Sequence, residues 1–287
     1  MAFSPAPDVC TLEAEQEVGP YYVANEMIRR DIRESKAGFP LALDLLVLDS
    51  RTCKPLPHAA IDVWHCDALG LYAGYTKNNP MGGDGPEGPG RPRPDFDPQS
   101  SPAQHPGDHH SGGPPPFGMG APGPTDKLTF LRGVQFTDAK GRVGFQTVFP
   151  GFYQGRTNHI HFKVRLGGHT GIADGHHTYL AGHTSHVGQV FFPEDVAAEL
   201  MRHEPYASHK IHRTTTAEDG VYNGQHGDTQ VATLKFLEPG NPASGMQAHL
   251  VAAVDPTATP GPAQRDGGPP SPHRDTRSLP NASGVMG

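Results

Sequence analysis

Proline and glycine occupy 67 of the 287 positions of this chain (36 Gly, 31 Pro), and most of what lies between them reads as short strands. Their distribution divides the chain. From Pro80 to Thr125, 24 of 46 residues are Pro or Gly. Such a tract buries too little apolar surface to fold by itself and predicts a long irregular excursion. The same reasoning predicts a disordered tail over 255–287, and residues 1–10 read as a loose N-terminal arm. One folded domain over 11–254, carrying the insert 80–125, accounts for the rest.

Within that domain "LALDLLVLD" (41–49) and "AAIDVWHCD" (59–67) are expected strands, separated by the turn "SRTCKPLPH". "GVQFTDAKGRVGFQTV" (133–148) predicts a hairpin turning at Asp138-Ala139-Lys140-Gly141. "TNHIHFKVRL" and "VGQVFF" are further strands, and "ATLKFLE" is expected to be the last. One short helix is expected, "PEDVAAELMRH" from Pro193, with proline at its start and Glu194 and Asp195 at the positive end of its dipole. Many short strands and one helix predict an all-β fold, a single-domain antiparallel β-sandwich with long loops.

Composition narrows the partners. The net charge is −7 and no large basic block appears, which argues against nucleic acid. No apolar run approaches the ~20 residues of a membrane helix, so no membrane partner is expected. The first residues, "MAFSPAPDVCTLEAEQEVGP", lack a basic and an apolar leader segment. Taken as given, the chain is expected in the cytoplasm, and secreted if a leader has been removed. Cys10, Cys53 and Cys66 permit one disulfide and a leftover thiol, or three free thiols. With 18 histidines, chance His-x-His pairs are expected, and His109-His110 and His176-His177 read as solvated surface residues.

The stretch "PGFYQGRTNHIHFKV" (150–164) sharpens the question. Side chains alternate across a strand, so His159 and His161 share one face with Lys163 and Arg165, and Ile160, Phe162, Val164 and Leu166 share the other. Periodicity alone is equally met by a half-buried strand whose polar face meets water. Tyr153 and Arg156 stand at the mouth of this strand, and Tyr72, in "WHCDALGLYAGY", follows another strand end. Loops at strand ends are where sites sit on a rigid sandwich.

The stretches "GPYY" (19–22), "PLPHAAIDVWHCDALGLYAGY", "LRGVQFTDAKGRVGFQTVFPGFYQGRTNHIHFKV" and "GQVFF" occur in the order found in the intradiol ring-cleaving catechol dioxygenases. Over about residues 11–238 the chain resembles that family, and most closely its small single-domain branch. The resemblance implies a mononuclear non-haem Fe(III) bound by Tyr72, Tyr153, His159 and His161. It further implies a small aromatic diol and O2 as substrates, and cleavage between the two hydroxylated carbons to a muconate-type diacid in aromatic catabolism. Tyr153 matches the family tyrosine that leaves the metal as substrate arrives. Arg156 matches the arginine that stabilises charge on the ring, and Gln189 a further polar active-site residue. Pro20, Tyr21, Tyr22, Leu69 and Leu71 are the candidate substrate wall. Donor chemistry agrees, since Fe(III) is hard and phenolate is a hard anionic donor.

The chain departs from the larger family members. Only five residues separate Tyr153 and His159, which implies a shallower pocket, and the helical dimerisation region of the larger enzymes has no counterpart. Oligomeric state stays open. The insert begins eight residues after Tyr72 and reads equally as a lid or as a passive loop. Two rival readings stand beside the resemblance. One is an Fe(II) facial-triad oxygenase built on His65 and Asp67. The other is a β-sandwich binding module without a metal.

Overall fold

The computed structural model describes residues 10–77 and 123–261. The expected arm, insert and tail fall almost wholly outside the described residues. What is described is a two-sheet β-sandwich. One sheet has the order β2 (Lys54–Pro55), β1 (Pro40–Asp49), β9 (Asn241–Val254), β8 (Thr233–Glu238), with β5 (Arg142–Val148) also paired to β1. The other has the order β4 (Arg132–Phe136), β3 (Ala60–Trp64), β6 (His159–Ala173), β7 (His176–Phe191).

The β1 sheet follows from alternation. Leu41, Leu43, Leu45 and Val47 are buried, while Ala42, Asp44 and Leu46 between them stay half-exposed. Across the core they meet Ile61 and Val63 of β3 and Ile160, Phe162 and Val164 of β6, all in one apolar cluster. Burial of each such side chain contributes roughly 1.5–3 kcal/mol, which makes this seam the main source of stability.

Several expectations change. The sandwich is antiparallel except for one pairing, since β1 and β9 run parallel from Leu41↔Met246 to Asp49↔Val254. "ATLKFLE", here β8, is not the last strand, because β9 follows it and occupies the sheet interior. The glycine, proline and alanines of β9 hid its alternation. The turn at Asp138 forms, with the Gly141 N–H donating to Asp138 O at 2.9 Å, yet 133–148 is not a hairpin. β4 pairs with β3 and β5 with β1, so the turn is a corner that hands the chain from one sheet to the other.

The helix after Pro193 is α1 (Glu194–Leu200), and a second short one, α2 (Gly220–Gly224), accompanies it, capped by the Asp219 side chain. Short 3-10 turns add Tyr206–Ser208 and Gly227–Gln230. Among the described residues no helix is long and apolar enough to cross a membrane. Cys10 and Cys53 form a disulfide, and Cys66 is free and buried.

The polar face of β6 does not meet water. His159 and His161 are each 1% exposed and Lys163 8%. Residues 13–26 lie across this face: Gln16 N–H donates to Val187 O at 2.9 Å, and Lys163 Nζ sits 3.4 Å from the Tyr22 ring centroid. Over His159–Val164 the strap leaves the strand buried on both sides.

Candidate metal centre

Two loops and one strand end bring four ring groups together. The Tyr72 loop leaves β3 and is pinned by Asp67, whose Oδ1 accepts the amides of Leu69 and Leu71, both at 3.0 Å. The Tyr153 loop is pinned by Asn158, whose Nδ2 donates to Pro150 O (3.0 Å) and Gly151 O (3.1 Å). The loops touch backbone to backbone. A Cβ on Gly151 would lie 2.2 Å from Asp67 O, and one on Gly70, at φ +81°, 2.5 Å from Phe152 O. Only glycine allows that approach.

His159 and His161, two residues apart on β6, project from the same face into this junction. His159 Nε2 lies 3.1 Å from His161 Nε2 and 3.4 Å from the Tyr72 hydroxyl. The Tyr153 ring centroid is 5.7 Å from those of Tyr72 and His159. His159 Nδ1–H donates to Thr157 O at 2.6 Å, which leaves Nε2 as a bare lone pair facing the others. Neighbouring ligands at right angles on an ion with bonds of ~2.1 Å stand ~3.0 Å apart, so the two imidazole nitrogens have the spacing of adjacent metal ligands.

Electrostatics agree with that use. Burial, then the charge of Arg156, pushes His159 down to about 3, and burial with the His159 charge holds His161 well below its ordinary value. Both imidazoles are neutral donors at neutral pH. Burial raises Tyr153 to about 12 against the pull of Arg156, and burial with the Tyr153 charge holds Tyr72 well above its ordinary value. Two phenols with such shifts ionise only beside a strong cation. Hard oxygen and imidazole donors, without thiolate, fit a ferric ion.

The facial triad does not assemble. His65 Nδ1–H donates to Cys66 O (2.8 Å) and its Nε2 accepts from Thr147 Oγ1 (2.7 Å), while Asp67 Oδ2 pairs with Lys36 Nζ (2.7 Å). Both residues are structural. Among the described residues no three His, Cys, Asp or Glu side chains group to hold a metal ion.

Arg156 follows Tyr153 in a turn, its N–H donating to Tyr153 O at 3.0 Å. Its guanidinium is buried, with Nε donating to both oxygens of Asp219 (3.1 and 3.0 Å) and Nη2 to Gln189 Oε1. Register places Gln189 opposite His161, and Gln189 Nε2 donates to Glu17 O at 3.2 Å. Burial opposes the charge on Asp219, but Arg156, His159 and the Thr157 amide outweigh it and hold the carboxyl below its ordinary range.

The expected substrate wall divides. Tyr21 is buried, stacked on Tyr72 at 4.4 Å and edge-on to Tyr153 at 5.7 Å. Tyr22 is half-buried, packs against the edge of this cluster beside Trp64 and donates its hydroxyl to Asp62 Oδ2 at 2.8 Å. Pro20, Leu69 and Leu71 are half-buried in the flanking loops and are not members of the aromatic cluster. Sequence reasoning missed Asp219, Asn158 and Glu17. Asp219 lies 63 positions from Arg156, and nothing in its local pattern marks it beyond an N-cap before a short helix.

The fold of this chain is that of the intradiol ring-cleavage dioxygenases, and the chain resembles their small single-domain branch. It is similar to the intradiol ring-cleavage dioxygenase from Tetranychus urticae, with a TM-score of 0.63 and 26% identity over 88% of this chain and 98% of that one. A second solved dioxygenase gives a TM-score of 0.62 and 27% identity over the same shares of the two chains. No protein-family model matches the sequence, and no curated protein matches it. The likeness to these two structures supports an oxygenase enzyme.

Proposed function

We propose that this protein is a non-haem Fe(III)-dependent intradiol dioxygenase. It cleaves a catechol-type ring between the two hydroxylated carbons, adding both atoms of O2 to give a muconate-type diacid. One observation carries the reading: two buried imidazoles and two buried phenols converge from separate elements, with the Nε2 atoms of His159 and His161 3.1 Å apart.

Tyr72, Tyr153, His159 and His161 would hold the ferric ion, which supplies a binding point for the two diol oxygens and lowers the barrier to reaction with O2. The rest is work for the chain. Tyr153 Oη would take up one of the two catechol protons, so the diol binds as its monoanion and the buried site gains no net charge. The Arg156 guanidinium, protonated and shielded from water, stabilises negative charge that develops on the ring. Gln189 fixes its direction through Oε1. Tyr21, packed on Tyr72 and Tyr153, excludes water from the phenols. For location, the Cys10–Cys53 disulfide favours the exported alternative, since structural disulfides persist in oxidising compartments.

The test is metal analysis, visible absorption and oxygen uptake on one preparation. The substrate panel is catechols bearing carboxylate, methyl, hydroxyl or propenoate groups. A red-brown, iron-loaded protein that consumes oxygen and forms a diacid is expected. A protein that stays colourless and takes up no oxygen after ferric loading would be a binding module instead.

A further inference from the structure

We infer that Asp219 is the positioning residue for Arg156, its carboxylate setting where the guanidinium points. The inference rests on the ring-cleavage reading and adds a residue to it.

Arg156 has two carboxylates within reach, on different elements. Asp219 meets Nε with both oxygens at 3.0–3.1 Å, whereas Glu17 Oε1 stands 3.7 Å from Nη1, beyond hydrogen-bond distance. Nη2 is thereby turned to Gln189 Oε1, beside His161 in the β6–β7 register. A guanidinium released from Asp219 has Glu17 as its remaining counter-charge, and turning toward Glu17 draws Nη2 away from Gln189.

Asp219 is itself fixed. It is fully buried, its Oδ1 accepts the amides of Val221 (2.8 Å) and Tyr222 (3.1 Å) at the start of α2, and its Oδ2 accepts the Thr157 amide at 2.9 Å. Thr157 O is the acceptor that sets the His159 tautomer, at 2.6 Å from Nδ1. One carboxylate, fixed by three backbone amides, therefore holds the charge beside Tyr153. A misplacement of ~1 Å at such a group costs about 10²-fold in rate.

The test is a double-mutant cycle on the ferric-loaded protein with catechol, read by oxygen uptake. Asp219→Asn removes the charge and keeps a residue that caps helices well. Expected are iron content and visible band retained, kcat lowered about 10²-fold, and KM within about twofold. Arg156→Ala should lower kcat about 10²- to 10³-fold with iron retained. The double variant should be no slower than Arg156→Ala alone, because Asp219 acts through the arginine.

A second readout needs no turnover. In metal-free, 15N-labelled protein, the arginine Nε–H signal absent from Arg156→Ala should lose its protection from exchange in Asp219→Asn. Loss of iron in Asp219→Asn, additive losses in the cycle, or an unchanged Nε–H signal would overturn the inference alone. Absence of oxygen uptake by the unsubstituted protein would overturn the ring-cleavage reading and the inference with it.

Discussion

The two sheets of the sandwich are written in similar alternating sequences and bury them differently. In β1 the core side is Leu41, Leu43, Leu45 and Val47, and the other side stays half-exposed. In β6 the core side is Ile160, Phe162 and Val164, but His159, His161 and Lys163 on the other side are buried as well. The difference is a cover: residues 13–26 cross the β6 sheet. Under that cover polar groups have lost water and need protein partners. Asp62 takes the Tyr22 hydroxyl (2.8 Å) and Arg165 Nη1 (3.3 Å), and Arg132 Nη2 donates to Ala73 O and Tyr21 O, both at 2.6 Å. A polar face buried this way holds groups with strongly shifted proton affinities, which is what a reactive site needs.

The largest expected effect is at the site itself. Tyr153→Phe should alter the visible band of the ferric protein and lower turnover about 10²- to 10⁴-fold, as loss of a proton acceptor does. An unchanged spectrum would remove Tyr153 from the metal.

Next comes the covered polar face. Asp62→Ala removes a buried acceptor from the half-buried Tyr22 hydroxyl and Arg165 and should cost about 1–3 kcal/mol in urea unfolding. Arg51→Ala, which breaks the exposed Arg51–Asp49 pair at the end of β1, should leave the midpoint where it was. Equal losses from the two substitutions would abolish the contrast between the sheets.

The strap is fastened near its start by Cys10–Cys53, a bridge spanning 43 positions. Replacing both cysteines with serine should cost about 2–4 kcal/mol. Hydrogen exchange should rise first at residues 13–26, and a uniform rise over both sheets would show that the bridge serves the whole fold instead.

The mildest effect is a slope with pH. Burial raises the Glu13 carboxyl from 4.5 to about 7 against a hydrogen bond from Thr229. A raised folded value makes this group's contribution to stability complete below pH 4.5 and progressively lost as pH climbs toward 7. Glu13→Gln should reduce the slope of melting temperature over that window without abolishing it, because burial raises the Glu26 carboxyl to about 7 as well. A slope identical to the unsubstituted protein would place the titration elsewhere.

Much of this was readable from residues. Leu41–Asp49 and the His-Ile-His strand declare themselves by alternation, and the helix after Pro193 by its proline and acidic first turn. β9 did not, because its alanines, glycine and proline have weak strand character and gain their place from pairing with β1. The 133–148 segment misled because a turn reports local geometry and cannot report which sheet its two arms will join. Asp219 was invisible because a carboxylate becomes a partner of Arg156 only through contact across 63 positions.

By itself the sequence determined most of the strand segments, the pair of imidazoles on one face, the two tyrosines at strand ends and the kind of ion such donors would suit. These are properties of local periodicity and donor chemistry. Tertiary structure decided that the polar face of β6 is roofed over, that Cys10 meets Cys53, that His65 and Asp67 serve the frame, and that Asp219 grips Arg156. Each of those depends on bringing distant segments into contact, where desolvation sets which charges and hydrogen bonds persist, and no local pattern encodes that cost.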